Sequence, residues 1–141
     1  MTQQEKRLLL QDLCARLPYG LIVRHVKINK DFKINGGLCN DCDDGTTQLL
    51  LYVKTIDKGY QLLPTGPGDV LPYLRPLSSM TEEEKREYHE IDDCAYTCPE
   101  EYAHVPAVDR VDWLNAHHFD YRGLIEKGLA IEVTEENNPY V

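Results

Sequence analysis

The chain has 141 residues, 42% of them hydrophobic and 28% charged, which is typical of one globular domain and excludes wholesale disorder. Its net charge of −9 is uneven, because residues 1–70 carry nine Lys/Arg against eight Asp/Glu, whereas residues 71–141 carry six against sixteen. The acidic second half repels phosphate backbones, so nucleic acid is a disfavoured partner.

Neither a membrane span nor a secretory leader is expected. No stretch approaches the roughly 20 apolar residues that cross a bilayer. The run Leu8–Leu10 is too short for the apolar part of a signal peptide. Five cysteines are an odd number, which disfavours a disulfide framework in a reducing compartment. We therefore expect a single cytoplasmic domain over 1–141, with a flexible tail at about 134–141.

The first predicted element is a helix. Thr2 and Glu5 have the spacing of a capping box, and Pro18 and Gly20 mark the end of the helix. Its apolar positions recur at helical spacing and are expected to share one face: Leu9, Leu10, Leu13, Cys14 and Leu17.

Three strands are predicted next. Residues 21–28 form the first, with three apolar side chains expected on one face, namely Ile22, Val26 and Ile28. The segment 29–45 is rich in Asn, Gly and Asp, which predicts a loop with at most a short hairpin. A strand at 47–56 then pairs through a turn with a strand at 60–64.

Prolines shape the middle of the chain. Four of them exclude a helix and predict an extended segment at a sheet edge: Pro64, Pro67, Pro72 and Pro76. A second capping box, Thr81 with Glu84, begins a helix that should end near Ile91. Residues 92–107 are predicted to be irregular.

The C-terminal part is predicted to contain two helices and a strand. Asp109 caps a helix that contains Trp113, a short helix covers 121–127 and ends at Gly128, and a strand covers 129–133. The order of elements predicts an α+β fold. We expect an antiparallel sheet of about three to five strands with helices packed mainly on one face.

Two segments carry a resemblance, YLRPLSSMTEEE at 73–84 and DWLNAHHFDYRGLIEKGLAIE at 112–132. They resemble small proteins without an established activity encoded in genomes of gut Bacteroidales, often near prophage or other mobile-element genes; the opening 8–20 shares the resemblance to a lesser degree. It implies a bacterial cytosolic context and an accessory or regulatory role. It implies no cofactor and no catalytic residue.

The cysteines offer one candidate metal site. Cys39 and Cys42 form a CxxC in a Gly/Asp-rich segment, a spacing at which two thiolates can face one zinc ion. Two further ligands could come from Cys94 and Cys98. A rival set of four ligands is His89, Cys94, Cys98 and His104. We expect free cysteines and no cofactor, with a structural zinc as the alternative.

The stretch NAHHFDYRG at 115–123 is the other candidate site. A small hydrolase could use His117 or His118 as general base, Asp120 to orient it and Arg122 to hold an anion. The structural alternative is a corner between two helices, in which Asp120 caps the second helix through backbone amides near 121–123. This alternative explains more of the residues, and we prefer it.

The predicted function follows from what the sequence lacks, since it contains no nucleophile motif, phosphate loop or dinucleotide fingerprint. We predict a non-enzymatic accessory or regulatory module that acts through contacts with a protein partner. The proline-rich edge, with Tyr73, Leu74 and Arg75, is the predicted partner-binding surface. The zinc-stabilised binding module and the hydrolase remain the alternatives.

Overall fold

The computed structural model describes residues 2–41, 47–55, 59–65, 67–97 and 105–140. The helices are α1 (Gln3–Arg16), α2 (Glu82–Thr97) and α3 (Val105–Ala116). The strands are β1 (Ile22–His25), β2 (Lys30–Asp41), β3 (Thr47–Thr55), β4 (Gly59–Thr65), β5 (Val70–Leu74) and β6 (Ile131–Glu132). Short 3₁₀ turns cover Leu17–Tyr19, Pro67–Asp69 and Leu77–Ser79. Helices beside a mostly antiparallel sheet confirm the predicted α+β class.

The strands form one sheet in the order β4-β3-β2-β1-β5-β6. All neighbours are antiparallel except β5 and β6, which run parallel and pair Leu74 with Glu132. The two-residue β6 takes the sheet beyond the predicted five strands. Because β5 and β6 point the same way, the segments that follow them leave the sheet at the same end.

Helix α1 begins and packs as its sequence predicts. The Thr2 amide donates to Glu5 Oε2 at 2.7 Å, and the Glu5 amide donates to Thr2 Oγ1 at 3.1 Å, which completes the capping box. The helix contributes Leu9 and Leu13 to the main apolar core. The other buried members of this core are Leu21, Val23, Ile34, Val53, Val70, Leu74, Leu124 and Leu129. Cys14, which was expected on the apolar face, is exposed.

The first two strands differ from their predictions. The buried positions of β1 are Val23 and His25, so its inward face is one residue out of phase with the predicted face. The loop predicted at 29–45 is wrong over Lys30–Asp41, which is a strand of 12 residues. The second error arises because β2 is held by neighbours on each side, and this pairing outweighs its weak intrinsic preference.

The proline-rich segment is extended as predicted, but β5 does not lie at the sheet edge. Pro72 pairs with Val23 of β1, and β6 covers the other side of β5 at Tyr73 and Leu74. A proline is tolerated here because β6 is only two residues long and lies beyond Pro72. As a result, most of β5 is buried.

The later helices also shift. Helix α2 starts with the predicted capping box, with the Glu84 amide donating to Thr81 Oγ1 at 3.1 Å, but it continues to Thr97. Helix α3 starts at Val105, four residues before the predicted cap. Residues 121–127, predicted as a helix, form turns instead. Gly128 has the predicted positive φ, 72°.

Candidate functional site

The chain turns sharply after α3 and returns to the end of β5. His118 has a left-handed backbone (φ 62°), which is uncommon for a residue with a side chain. The amide of Arg75 donates to the His118 carbonyl at 2.7 Å, and the Asp120 amide donates to the Arg75 carbonyl at 2.8 Å. This pair of hydrogen bonds fixes the 118–120 segment beside β5.

Asp120 caps the turn that follows. Its carboxylate accepts from the Leu124 amide and from the Ile125 amide, both at 2.9 Å, and the residue is 8% exposed. The capping role predicted for Asp120 is therefore present, with amides slightly later in the chain than expected. Since both carboxylate oxygens bind backbone amides, Asp120 is engaged in structure and does not orient a histidine through these bonds.

The two histidines have separate surroundings. The His117 ring stacks on Trp113 with centroids 4.0 Å apart. Its Nδ1 lies 2.9 Å from the Trp113 carbonyl oxygen, which can only accept, so Nδ1 carries the hydrogen of this bond. The His118 ring stacks on Tyr140 at 3.9 Å. Burial, helped by the positive charge of Arg16, lowers the pKa of His118 to about 4. Each ring is thus packed against its own aromatic neighbour.

A buried charge cluster lies next to this corner, and the sequence did not predict it. Asp12 and Arg16 of α1 are both 0% exposed, with Arg16 Nε 2.8 Å from Asp12 Oδ2. Arg16 Nη2 donates to the Phe119 carbonyl at 2.6 Å, which ties α1 to the corner. Arg122 Nε lies 3.3 Å from Asp12 Oδ1. The four-residue spacing of Asp12 and Arg16 is visible in the sequence, but the same spacing is typical of ion pairs on exposed helix faces.

Tyr121 completes the cluster and occupies Arg122, the predicted anion clamp. Its hydroxyl donates to Asn115 Oδ1 at 2.9 Å, and its ring lies beneath the guanidinium groups of Arg16 and Arg122 at 5.2 and 5.1 Å. Arg122 thus faces Asp12 and Tyr121. The residues predicted for a hydrolase site are therefore neighbours in the sequence, but each of them contacts a different structural partner.

The segment predicted to be a flexible tail includes an anchor that the sequence did not predict. The Tyr140 hydroxyl donates to the Tyr73 carbonyl at 2.8 Å and accepts from the Ile22 amide at 3.2 Å. Asn137 accepts from the Thr134 amide at 2.6 Å and forms a turn before this anchor. Tyr140 therefore joins the C-terminal segment to β1, β5 and His118.

The predicted partner-binding residues are mostly inside the protein. Tyr73 is 3% exposed and Leu74 is 0% exposed, so the exposure expected for them is wrong. Arg75 is half-buried: its two terminal nitrogens donate to the Glu84 carboxylate at 2.8 Å each, and its guanidinium lies 4.2 Å above the Phe119 ring. Leu77, two residues later, is 47% exposed.

A groove of about 500 Å³ opens beside Leu77, at the end of the sheet where β5 and β6 finish. Its lining residues are Pro76, Leu77, Ser78, Asp120, Tyr121, Gly123, Ile125, Glu126 and Glu132. Proline, leucine, tyrosine and isoleucine give it apolar surface. Three of the residues that line it are acidic, and none is Lys or Arg.

A second depression, of about 570 Å³, lies at the start of α1 and touches Lys127. Its lining includes cations and anions together, with Leu8 as the one large apolar side chain: Thr2, Gln4, Glu5, Arg7, Leu8, Gln11 and Lys127. Glu5 is already engaged in the capping box. The groove beside Leu77 combines apolar surface with one sign of charge, so we regard it as the candidate functional site.

Most of the predicted zinc ligands lie outside what the structure describes. Cys42, Cys98 and His104 are not among the described residues, and only the backbone is described for Cys39 in β2 and Cys94 in α2. His89 is exposed on α2, with its ring edge toward Tyr88. Within the described part of the chain, no group of His, Cys, Asp or Glu is arranged to hold a metal ion. The zinc alternative stays a prediction.

Comparison with known protein families, curated proteins and solved structures finds no match to this chain. In the segments that the structure describes, no helix has the length and apolar character needed to cross a membrane.

The buried His118 should make the stability of the folded chain depend on pH. Its pKa in the folded chain, about 4, is below its ordinary value of 6.5, so the unfolded chain binds the proton more tightly. His118 therefore contributes stability that is fully present above pH 6.5 and is lost as the pH falls toward 4. We expect His118→Asn, which tolerates a left-handed backbone, to flatten the slope of the free energy of unfolding between pH 6.5 and 4.

Glu84 provides the control for this experiment. The hydrogen bond from Arg75 lowers the pKa of Glu84 to about 2 from 4.5, so its contribution is present above pH 4.5 and is lost toward pH 2. Glu84→Gln should thus flatten the slope of the free energy of unfolding between pH 4.5 and 2 and leave the slope between pH 6.5 and 4.5 unchanged. Urea denaturation at a series of pH values measures both slopes. An unchanged upper slope in His118→Asn would refute the assignment.

Proposed function

We propose that this chain is a non-enzymatic protein-binding module and that the groove beside Leu77 is its docking surface. The observation that supports this proposal is the combination of apolar surface with acidic residues at one end of the sheet. Leu77 offers exposed apolar area, while Glu126 and Glu132 are both exposed. The partner that fits is a protein segment with an apolar side chain flanked by lysine or arginine.

Two of the three acids are available to such a partner. The Asp120 carboxylate is held by two backbone amides and shapes the floor of the groove. The Glu132 carbonyl accepts from Asn137 Nδ2 at 2.9 Å, so the backbone that carries Glu132 is held in place. A rim whose backbone is already held lowers the cost of ordering that segment on binding.

The resemblance to proteins of gut Bacteroidales supports the same surface. All the residues that line the groove fall within the two segments that carry it, 73–84 and 112–132. An accessory or regulatory role in the cytoplasm, which the resemblance implies, is compatible with a module that docks a partner. The groove replaces Tyr73, Leu74 and Arg75 as the proposed contact surface, because Tyr73 and Leu74 are buried.

Binding of a designed peptide tests this proposal. The probe is a fluorescein-labelled peptide with a central leucine flanked by lysines, compared with the same peptide carrying glutamates. We expect fluorescence anisotropy to show binding of the lysine peptide alone, weakening with salt. Removing both charges in Glu126→Gln/Glu132→Gln should weaken it about two- to thirtyfold, since each exposed pair contributes about 0.2–1 kcal/mol.

The matched control is Glu135→Gln/Glu136→Gln. These two exposed acids carry the same charge in the same half of the chain, but they do not line the groove. We expect binding to stay within about twofold of the parent. Equal weakening by both double variants would mean that the peptide senses net charge alone, and the groove would lose its role.

A further inference from the structure

The turn between β1 and β2 exposes an unusual sequence, Val26-Lys27-Ile28-Asn29-Lys30. Val26 is 44% exposed and Ile28 is 50% exposed, although both are large and apolar. The Lys27 side chain is 71% exposed, and Lys30 is also exposed. Asn29 adopts a positive φ of 51°, which closes the turn. We call residues 26–30 the hairpin tip.

The hairpin tip and the groove lie at opposite ends of the sheet. Strand β5 runs antiparallel to β1, pairing Val70 with His25 at the tip end and Pro72 with Val23 further along. The amide of Val26 donates to the Asp69 carbonyl at 2.9 Å, which places the start of β5 beside the tip. The groove begins at Pro76, past the opposite end of β5. The tip and the groove of one molecule are therefore separate surfaces, so one molecule could engage a different neighbour with each.

The charges of the two ends are complementary. Near the tip, Lys27 lies 3.4 Å from Asp69 and Arg24 lies 2.9 Å from Asp31, so these four residues balance. Among the described residues at the tip end, Lys30 then leaves one positive charge in excess, whereas the groove is lined by acids without a cation among the described residues that form it. Apolar surface accompanies the charge on both sides, with Val26 and Ile28 on the tip and Leu77 in the groove.

We propose that the partner of the groove is a second copy of this chain, whose hairpin tip docks into it head to tail. This inference rests on the proposed function, because it names the occupant of the same groove. Tip and groove are different surfaces, so the contact is heterologous: each molecule in the row uses its tip on one neighbour and its groove on the other. The contact is small and partly ionic, which gives an association that rises with protein concentration and falls with salt.

Sedimentation equilibrium of the whole chain tests the proposal. We expect the weight-average mass to rise above the monomer mass of 16.2 kDa as the concentration increases toward 1 mM, on the order of the affinity expected for a small contact. Lys27→Glu/Lys30→Glu gives the tip the sign of the groove, and Glu126→Lys/Glu132→Lys gives the groove the sign of the tip. Each double variant alone should stay monomeric, with its fold checked by circular dichroism.

Mixing the two double variants is the decisive measurement. In the mixture every acidic tip can meet a basic groove and every basic tip an acidic groove, so we expect association to return. Ile28→Ser is a further variant, which should reduce association without changing any charge. If the parent associates but the mixture does not, the contact lies elsewhere on the surface, and the head-to-tail proposal is overturned.

The peptide experiment separates this proposal from the one on which it rests. A parent chain that binds the lysine peptide but stays monomeric at 1 mM keeps the groove as a docking surface and overturns self-docking. A parent chain that neither binds the peptide nor associates overturns both proposals. Inhibition of self-association by the lysine peptide supports both, because the peptide and the tip would compete for one groove.

Discussion

Replacing Asp12 by alanine is expected to lower the free energy of unfolding by about 3–5 kcal/mol. The change removes the only carboxylate that the structure shows within ion-pair distance of Arg16, a residue that is 0% exposed. The guanidinium would then keep its hydrogen bond to the Phe119 carbonyl and its contact with the Tyr121 ring, but neither carries a negative charge to balance it. Arg122, which also lies beside Asp12, loses its carboxylate at the same time. Urea denaturation measures the change.

The matched control removes both charges together. We expect Asp12→Ala/Arg16→Met to be less destabilised than the sum of the two single variants, because the double variant leaves no stranded charge between these two positions. Methionine also fills much of the space that the arginine side chain occupies. Additive effects would mean that the two side chains do not interact in the folded chain, contrary to the 2.8 Å contact.

Local signals in the sequence predicted the starts of two helices correctly. The capping boxes at Thr2 and Thr81 involve residues three positions apart, so the chemistry that begins each helix lies within a short stretch. The hairpin of β3 and β4 was predicted for the same reason, since its two strands are adjacent in the chain.

Two features of the sheet were missed for different reasons. Strand β2 contains Asn, Gly and Asp residues that usually mark loops, and it becomes a strand because β1 and β3 pair with it on both sides. The position of β5 inside the sheet depends on β6, more than fifty residues later, so no short window of sequence contains both strands.

The same distinction applies to the C-terminal corner. Asp120 was predicted as a cap because its amide partners are four and five residues away. Arg16 and Tyr140 were missed because their partners are Phe119 and Tyr73, 103 and 67 residues away. Burial determines how much the pairing of Arg16 with Asp12 matters for stability. At the surface this ion pair would contribute little, whereas inside the protein the loss of one partner leaves an unpaired buried charge and lowers the stability strongly.

The groove combines both kinds of signal. Its acids and its leucine are visible in the sequence, but the sequence placed the contact surface at Tyr73 and Leu74, just before it. Alternation along β5 is broken by the burial of both residues, and the chain reaches the surface only at Leu77. The burial of Tyr73 and Leu74 therefore moves the proposed contact surface past the end of β5, to Leu77.

Phe119→Ala is the second variant for which we expect a large loss, about 3–5 kcal/mol of the free energy of unfolding. Phe119 is 0% exposed, lies with its ring 5.7 Å from that of Trp113, and has the Arg75 guanidinium 4.2 Å from its centroid. Its backbone bonds to Arg16 and Leu114 do not need the ring, so the cost comes from the cavity and from the lost ring contacts. Thermal and urea unfolding measure it.

Phe119→Leu separates the cavity from the contact with Arg75. Leucine keeps most of the apolar volume but offers no aromatic face, so we expect a loss of about 1–2 kcal/mol, made up of a small cavity and of the cation–π contact. If the ring matters mainly through Arg75, the alanine and leucine variants will lose nearly the same amount. If filling the corner matters more, as the complete burial of Phe119 indicates, the alanine variant will lose at least about 1 kcal/mol more than the leucine variant.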